Sequence, residues 1–475
     1  MKNLLFLKTA VDFNIKNHPN GPPLGLMYLS AFIKKSFPFQ YNIRFIDMRL
    51  CRISISEIKK YILSFKPNII ACSVMTVEYK CMHEVAKLAK NINKKIKIIV
   101  GGPHPTIYYR EILNDENIDI TVIGEGEVTF GELLKCLEEG KDIINVTGIA
   151  FRRNSEVMFT GLREYIENLD YLPFPDWDLI DIEKYSKINA PTMNLILAGR
   201  KYMFIFTSRG CPYRCIYCHS IFGKSYRIRS AENVFTEIKT LHDQYNVDEF
   251  QVIDDVFNLD IERAKKICEL IIASKIKINI AFPNALRGDR MDDELILKLK
   301  QAGTYQVTYA LETASARLQK LIKKDIDIPK LYNVIKFSNK QGLLTKLYCM
   351  LGFPTETIEE VKQTINFACS LPLTFASFFI VNPHENTELC KIVKEFCSSF
   401  KINFNTDYYL ASKNNEYEKV IGLPLKKLQR KAYLKFYLNP ARILKIFFEI
   451  PNKSYLFNSI VGFLRFILKG KMFLL

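Results

Sequence analysis

Strand-like and helix-like runs alternate twice along the 475 residues, and a proline-rich stretch separates the two series. In the first, strand-like runs at 3–8, 41–48, 68–74, 96–102 and 120–126 alternate with helical patterns near 24–37, 54–65, 77–93 and 109–116, closed by one near 128–139. Regular β-α alternation puts helices on both faces of an open parallel sheet. Residues 1–145 are therefore expected to form a Rossmann-like α/β domain. Leu172-Pro-Phe-Pro-Asp-Trp177 is incompatible with a long helix, so residues 146–200 read as a connector. In the second series, strand-like runs at 202–206, 249–254, 278–286, 305–312, 343–351 and 375–381 are joined by helical patterns, the clearest at 231–245, 261–274, 292–302, 329–341 and 357–370. Six βα units over 201–384 predict a partial (βα)6 barrel, open on one side. Periodicity weakens beyond 385, where residues 385–475 are expected to be basic and mainly helical.

Straight after the first strand of the second series comes Thr207-Ser-Arg-Gly-Cys-Pro-Tyr-Arg-Cys-Ile-Tyr-Cys-His219. Cys211, Cys215 and Cys218 thus stand at spacing C-x₃-C-x₂-C. Four thiolates close an ordinary iron–sulfur site; three on one loop hold three irons of a 4Fe–4S cube and keep the fourth position for another ligand. Gly210 is expected to let backbone approach the cluster, and Pro212 to stiffen the turn. The alternatives are a zinc knuckle, which usually joins two pairs of ligands, and three buried cysteines. His219, adjacent to Cys218, is poorly placed as a fourth zinc ligand.

Twelve cysteines without regular spacing make no disulfide framework and suit a reducing cytoplasm. Leu4-Leu5-Phe6-Leu7 is too short for a signal peptide and reads as a first strand. No apolar stretch reaches the length of a membrane span. The net charge is +17. From Lys419 onward twelve Lys or Arg stand against the single acid Glu449, so most of the excess lies in the last eighth of the chain. The remainder is only mildly basic, which argues against nucleic acid as a partner. Aromatic and basic residues interleave in that tail, and the run from Ser454 to Leu468 is broken by Asn458 and Arg465. Such a segment suits peripheral membrane contact, or packing on the barrel with Lys and Arg snorkelling outward.

Ligands of parallel sheets and barrels sit beyond the carboxyl ends of the strands. In the first series those ends carry Gly21-Pro-Pro-Leu-Gly25, Ser73 to Thr76, Gly101-Gly-Pro-His104-Pro-Thr106 and Gly124-Glu-Gly-Glu127. These are either close approaches to a ligand or tight turns. In the second, Asp254 and Asp255 end one strand, as acceptors for an amine or hydroxyls of a ligand, or as a solvated turn. Arg287 ends the next and could meet a carboxylate bidentately. Glu312 is a candidate acceptor for hydroxyls, and Gly352, in Gly352-Phe-Pro-Thr-Glu356, ends a strand where backbone could pass close to a ligand.

The cysteine loop resembles the signature of the radical S-adenosylmethionine (SAM) enzymes, in which SAM chelates the open iron. The segments at Asp254, Arg287, Glu312 and Gly352 are similar to that family's motifs in the same order. That resemblance implies Asp254 or Asp255 on the methionyl amine of SAM or substrate hydroxyls, Arg287 on the SAM carboxylate, Glu312 on the ribose hydroxyls and Gly352 beside the adenine, and Tyr217 matches an aromatic position near adenine. The loops of residues 1–145 resemble the N-terminal domain of cobalamin-type radical SAM proteins. That resemblance implies cobalamin contacts at Leu24, Gly25, Ser73, Thr76, Gly101, Gly102, His104, Gly124, Glu125 and Gly126. No Asp-x-His-x-x-Gly triplet occurs, and His18, His83 and His104 are the only histidines there, so no protein imidazole is expected on cobalt. The Pro-Phe-Pro-Asp-Trp connector resembles the family's ordered linker, which helps seal one domain on the other.

The resemblance implies a cobalamin-dependent methyltransferase acting on an unactivated carbon or phosphorus centre. In such enzymes the reduced cluster cleaves SAM to methionine and a 5′-deoxyadenosyl radical, which takes hydrogen from substrate. The substrate radical then takes methyl from methylcobalamin. The alternatives are a cyclase, oxidative or rearranging radical SAM enzyme without methyl transfer, or a non-catalytic cobalamin or iron–sulfur sensor. Cys51, Cys72, Cys81 and Cys136 do not resemble the second cluster motif of a methylthiotransferase. The expected partners are a small-molecule substrate, a lipophilic one if the tail meets a membrane, and an electron donor such as flavodoxin or ferredoxin.

Overall fold

The structure, a computed structural model, describes residues 1–10, 21–187, 201–218, 221–400, 415–450, 456–457 and 460–461. His18, His219 and most of the run 454–468 lie outside them. The chain divides into two compact units, Met1–Ala190 and Pro191–Leu475.

In the first unit β1 (Lys2–Lys8), α1 (Leu24–Ser36), β2 (Tyr41–Asp47), α2 (Ile55–Phe65), β3 (Ile69–Ser73), α3 (Tyr79–Ile92), β4 (Lys97–Gly101), α4 (Pro103–Ile112), β5 (Ile120–Val122) and α5 (Gly126–Glu138) follow one another, as the alternation predicts. The run Leu4-Leu5-Phe6-Leu7 is apolar throughout because both faces of β1 are covered. Leu5 and Leu7 join Ile58, Ile62, Val85 and Ala89 of α2 and α3. Leu4 and Phe6 join Leu26, Ile33, Phe130 and Leu133 of α1 and α5. The five strands are parallel in the order β2-β1-β3-β4-β5. Their connections diverge between β1 and β3, the switch point at which such sheets bind ligands.

Residues 146–187, in the span expected to be a connector, carry secondary structure of their own. β6 (Ile149–Arg153) and β7 (Glu156–Phe159) extend the sheet antiparallel beyond β5. Asn154 and Ser155 join them with φ of 50° and 66°, the doubly left-handed turn of a tight hairpin. Without Asn-Gly or Asp-Gly this turn leaves little trace in the sequence. The proline-rich stretch belongs to the same unit: Ser30 Oγ and Lys34 Nζ of α1 donate to Asp176 at 2.5 and 2.7 Å, and Trp177 is buried. α6 (Ile182–Ser186) follows, its Tyr185 hydroxyl donating to Asp47 at 2.6 Å.

The second unit opens with β8 (Tyr202–Ile205) and the two-residue pair β9 (Ser208–Arg209) and β10 (Arg227–Ile228). Then come α7 (Ala231–Tyr245), β11 (Glu249–Val252), α8 (Ile261–Ser274), β12 (Asn279–Leu286), α9 (Asp293–Gln301), β13 (Thr304–Glu312), α10 (Ala316–Leu321), α11 (Ile328–Lys340), β14 (Leu344–Leu351), α12 (Ile358–Ser370) and β15 (Phe375–Ile380). β8, β11, β12, β13, β14 and β15 form one open six-stranded parallel sheet in chain order. This is the expected partial (βα)6 barrel.

Helices α13 (Glu388–Phe396), α14 (Asn415–Ile421), α15 (Leu425–Tyr437) and α16 (Pro440–Glu449) follow. An open sheet leaves the N–H and C=O groups of its edge strand exposed. At β15 they are met by side chains of α15. Ala376 N and Phe378 N donate to the Tyr437 and Tyr433 hydroxyls at 3.1 and 3.2 Å, Tyr437 donates back to Ala376 O at 2.9 Å, and Gln429 Nε2 donates to Phe378 O at 2.7 Å.

Candidate functional site

The cysteine loop is clasped at its base. β9 pairs antiparallel with β10, so residues 210–226 leave and re-enter the barrel at one point. Gly210 has φ 83°, and a Cβ there would lie 2.1 Å from Ser225 O. Its glycine is thus needed for the two limbs of the loop to touch. Within the loop Ile216 is a buried peg: its N–H donates to Ile322 O at 3.1 Å and its carbonyl accepts from Leu389 N at 2.9 Å. The peg fixes the stretch that carries the cysteines against the ends of α10 and α13. Cys211 and Cys215 are partly exposed and Cys218 is exposed, all as free thiols. Among the described residues no three His, Cys, Asp or Glu side chains converge on a single ion. Cysteines serving a cube each take a different iron, so spread along an exposed loop they fit a cluster.

Tyr217, between the second and third cysteines, ties this loop to β13. Its hydroxyl donates to Glu312 Oε1 at 3.2 Å, and its ring lies 5.8 Å from that of Phe353 beyond β14. Burial and the neighbouring Glu312 carboxylate hold that phenol well above its ordinary range, as a donor. Lys324 Nζ reaches both partners, Glu312 Oε1 at 3.0 Å and the Tyr217 hydroxyl at 3.3 Å. Glu312 itself has φ 64°, and Lys323 and Asp325 flank Lys324 at 52° and 45°. Left-handed backbone at non-glycine residues is costly and persists where the surroundings over-determine it. Lys324 escaped the sequence reading because it lies between α10 and α11, away from the strand ends.

The other strand-end residues divide. Asp254 is not an open acceptor: Oδ1 accepts from Thr207 N at 2.7 Å, while Oδ2 accepts from Thr207 Oγ1 at 2.5 Å and Ser208 Oγ at 2.6 Å. It staples the end of β11 to that of β8, and burial raises its pKa. Asp255 is exposed, near enough to act electrostatically on Cys211. Arg287 lies over the Tyr213 ring at 4.0 Å, donates to Asp289 through Nε and Nη2 at 2.9 and 2.5 Å, and donates to Lys324 O through Nη1 at 3.0 Å. Its bidentate edge thus already holds a carboxylate, that of Asp289, rather than facing outward for SAM. At Gly352 (φ 97°) a Cβ would meet Leu425 Cδ1 of α15 at 2.6 Å. The residue admits α15 rather than leaving space on that side for adenine. Glu356 Oε2 accepts from Gly352 N and Phe353 N at 2.5 and 3.0 Å, and burial pushes its carboxyl up to about 7. The Tyr417 hydroxyl donates to Gly352 O at 2.6 Å, another contact from the C-terminal helices that strand-end reasoning could not reach.

The inner face of the barrel also holds a polar layer. Gln251, Gln306, Thr308 and Lys346 are fully buried where closed barrels pack Val, Ile and Leu. Burial alone lowers Lys346 to about 7.

In the first unit the loops after β3 and β4 meet the start of α1. A Cβ on Gly102 (φ 97°) would lie 2.9 Å from Ser73 Oγ, and one on Gly25 would lie 3.9 Å from it. Thr76 opens a single 3-10 turn, Thr76–Glu78, whose Glu78 pairs with Lys8 at 2.6 Å. Leu24 is buried at the head of α1. Thr106 Oγ1 donates to Gly102 O at 2.8 Å and accepts from Gly124 N at 3.1 Å, joining the third and fourth loops. Gly101 and Gly126 pack against Val122 and Leu29, Glu125 accepts from Ile166 N at 3.1 Å, and the space beside Gly124 is open. His104 is 5% exposed, its ring 5.4 Å from Tyr79 and 4.8 Å from Tyr108, and its Nδ1 has no hydrogen-bond partner. Burial lowers it to about 4, so the imidazole is neutral. The open space beside Gly124, with the unsatisfied buried nitrogen of His104 on the loop that Thr106 ties to it, fits a large cofactor such as cobalamin.

Residues 13–134 match the B12 binding domain family and residues 205–368 the radical SAM superfamily. The chain is 32% identical over 436 residues, 90% of each chain, to the uncharacterized methyltransferase PH0819 of Pyrococcus horikoshii. It is 28% identical over 418 residues to cytidylyl-2-hydroxyethylphosphonate methyltransferase of Streptomyces wedmorensis, covering 78% of this chain and 77% of the relative. It is 26% identical over 396 residues to the anaerobic magnesium-protoporphyrin IX monomethyl ester cyclase of Rubrivivax gelatinosus, covering 82% and 69%. Among solved structures, the cobalamin-dependent SAM radical enzyme OxsB with aqua-cobalamin and SAM bound superposes with a TM-score of 0.74 over 99% of this chain and 74% of that one, at 18% identity. That last likeness is one of fold.

Proposed function

Because the chain belongs to the cobalamin-binding radical SAM enzymes, we propose that it is a methyltransferase acting on an unactivated carbon or phosphorus centre of a small molecule. When bound, the cluster, SAM and cobalamin supply electron transfer, a hydrogen-abstracting radical and the methyl group. Cys211, Cys215 and Cys218 hold the cluster. Asp255 takes the methionyl amine of SAM, and Glu312, fixed by Lys324 and Tyr217, takes the ribose hydroxyls. Tyr217 and the backbone at Gly352 and Phe353 border the adenine. Arg287 acts through its neighbours, holding Tyr213 in the cysteine loop and the Lys324 carbonyl. Residues 1–145, with the β6–β7 hairpin, hold cobalamin through Leu24, Gly25, Ser73, Thr76, Gly101, Gly102, His104, Gly124, Glu125 and Gly126. Residues 201–384 hold SAM, and the C-terminal helices shape the floor behind Gly352. Electrons come from a flavodoxin or ferredoxin in the cytoplasm.

The observation that carries this reading is the pairing, in one chain, of a cysteine loop locked to Glu312 through Tyr217 with the open space at Gly124 and the unsatisfied buried Nδ1 of His104 on the adjoining loop. The two methyltransferase relatives support methyl transfer. A cyclase reading is favoured by the relatives that are magnesium-protoporphyrin IX monomethyl ester cyclases, such as that of Rubrivivax gelatinosus. Anaerobic turnover of reconstituted protein with SAM and methylcobalamin separates them: the methyltransferase yields both S-adenosylhomocysteine and 5′-deoxyadenosine, the cyclase only the latter.

A further inference from the structure

Tyr217 has a fixed ring and one proton to share. Its backbone follows the Ile216 peg, whose N–H donates to Ile322 O at 3.1 Å, and its ring is held 5.8 Å from that of Phe353. A phenol donates a single hydrogen bond, and two acceptors compete for this one. Glu312 Oε1 takes it at 3.2 Å, long for a hydroxyl on a carboxylate, which ordinarily closes to about 2.5–2.7 Å. The Cys215 sulfur is the other neighbour, acting on the hydroxyl electrostatically and as a hydrogen-bond partner. With the ring fixed, rotation about the C–O bond decides between them, and the phenol keeps its proton either way. Lys324 Nζ donates to the same Glu312 Oε1 at 3.0 Å and to the phenol oxygen at 3.3 Å. Its carbonyl accepts at 3.0 Å from Arg287, which lies 4.0 Å over the Tyr213 ring. Both tyrosines of the cysteine loop thus meet Lys324, one through its carbonyl and one through its ammonium.

A carboxylate oxygen offers about two lone-pair sites, and at Glu312 Oε1 both are in use, by Lys324 and by Tyr217. A ribose brings two vicinal hydroxyls, and one that grips both carboxylate oxygens takes the place of the longer bond, that of the phenol. We propose that the Tyr217 hydroxyl couples ribose occupancy at Glu312 to the cluster: displaced from the carboxylate, it donates instead to the Cys215 sulfur. This coupling rests on the reading in which Cys211, Cys215 and Cys218 hold the cluster and Glu312 takes the ribose. Hydrogen bonds to the sulfurs are among the levers that set a cluster's potential. One donated to Cys215 favours the reduced form, which carries one more negative charge. The single electron from the flavodoxin or ferredoxin is then accepted more readily with the adenosyl group seated than in an empty site. Tyr217 is a positioning residue in this scheme, and its hydroxyl rather than its ring is the active part.

The test is titration of the reconstituted full chain with titanium(III) citrate, the reduced cluster being followed by electron paramagnetic resonance. Two conditions are compared, methionine alone and methionine with 5′-deoxyadenosine, which adds the ribose without a bond to cleave. In wild type 5′-deoxyadenosine is expected to raise the potential. The rise corresponds to at least about tenfold tighter binding of the nucleoside by reduced than by oxidised protein, or about 59 mV for a one-electron couple. Y217F keeps the ring and removes the hydroxyl, and is expected to lose most of that rise at full iron content. Wild-type protein whose potential is unmoved by bound 5′-deoxyadenosine overturns the coupling whatever the variant does. So does Y217F with the wild-type rise, and both results leave the assigned enzyme standing. Protein that assembles no cluster, or assembles one and binds no 5′-deoxyadenosine, overturns the underlying assignments as well.

Discussion

Lys324 Nζ stands 3.0 Å from Glu312 Oε1 and 3.3 Å from the Tyr217 hydroxyl, so one buried ammonium links the end of β13 to the loop that carries the cysteines. Removing one partner of a buried pair leaves the other charge uncompensated and costs about 3–5 kcal/mol. Lys324→Met is therefore expected to lower the unfolding free energy by about that much and to weaken SAM binding, measured by denaturant titration and by calorimetry. Lys324→Met combined with Glu312→Gln should recover part of the stability but none of the SAM affinity. A double variant as unstable as the sum of the two single ones would show that the pair is not coupled.

The cysteine assignment predicts a joint loss. Replacing Cys211, Cys215 and Cys218 by alanine should abolish the cluster's visible absorbance and SAM cleavage together, while Cys268→Ala, buried in α8, keeps both. A full cluster in the triple variant would sink the assignment.

Glu356 gives a pH dependence with a definite sign. Burial raises its carboxyl from 4.5 to about 7 in the fold, so between those values the folded chain binds the extra proton. Its contribution to stability is fully present below about 4.5 and is lost as pH rises through 7, by up to about 3 kcal/mol. Glu356→Gln keeps an acceptor for Gly352 N and Phe353 N without the charge. Thermal unfolding should show the variant gaining on wild type as pH rises from about 4.5 to about 7 and keeping a constant lead above that; a difference that does not change between those values would contradict the assignment.

No Asp-x-His-x-x-Gly histidine is present, and His104 is enclosed between Tyr79 and Tyr108. Electron paramagnetic resonance of the cob(II)alamin form should then lack nitrogen splitting from an axial imidazole. Clear splitting in wild type that disappears in His104→Phe would mean that His104 reaches cobalt after all.

What the sequence disclosed and what it hid have physical reasons. Both parallel sheets were legible because apolar strands buried on two faces, such as Leu4 to Leu7, alternate with helices bearing a polar face. The cysteine spacing was legible because ligands on one loop are local. The β6–β7 hairpin was missed because Asn154-Ser155 is a weak turn signal. Strand-end position pointed to Glu312, and the family resemblance to Tyr217, but neither could foresee that Asp254 is consumed by Thr207 and Ser208, since neither bond follows from local pattern. Lys324, Tyr417 and Leu425 act from loops and helices far along the chain. Only the folded barrel brings them to Glu312 and Gly352.

The central claim, methyl transfer by a cobalamin-dependent radical SAM enzyme, is tested most directly by anaerobic turnover with SAM labelled in its methyl group. The label should appear first in methylcobalamin and then in the methylated product, with S-adenosylhomocysteine and 5′-deoxyadenosine formed together. Formation of 5′-deoxyadenosine with no S-adenosylhomocysteine and no label in cobalamin or product would contradict it.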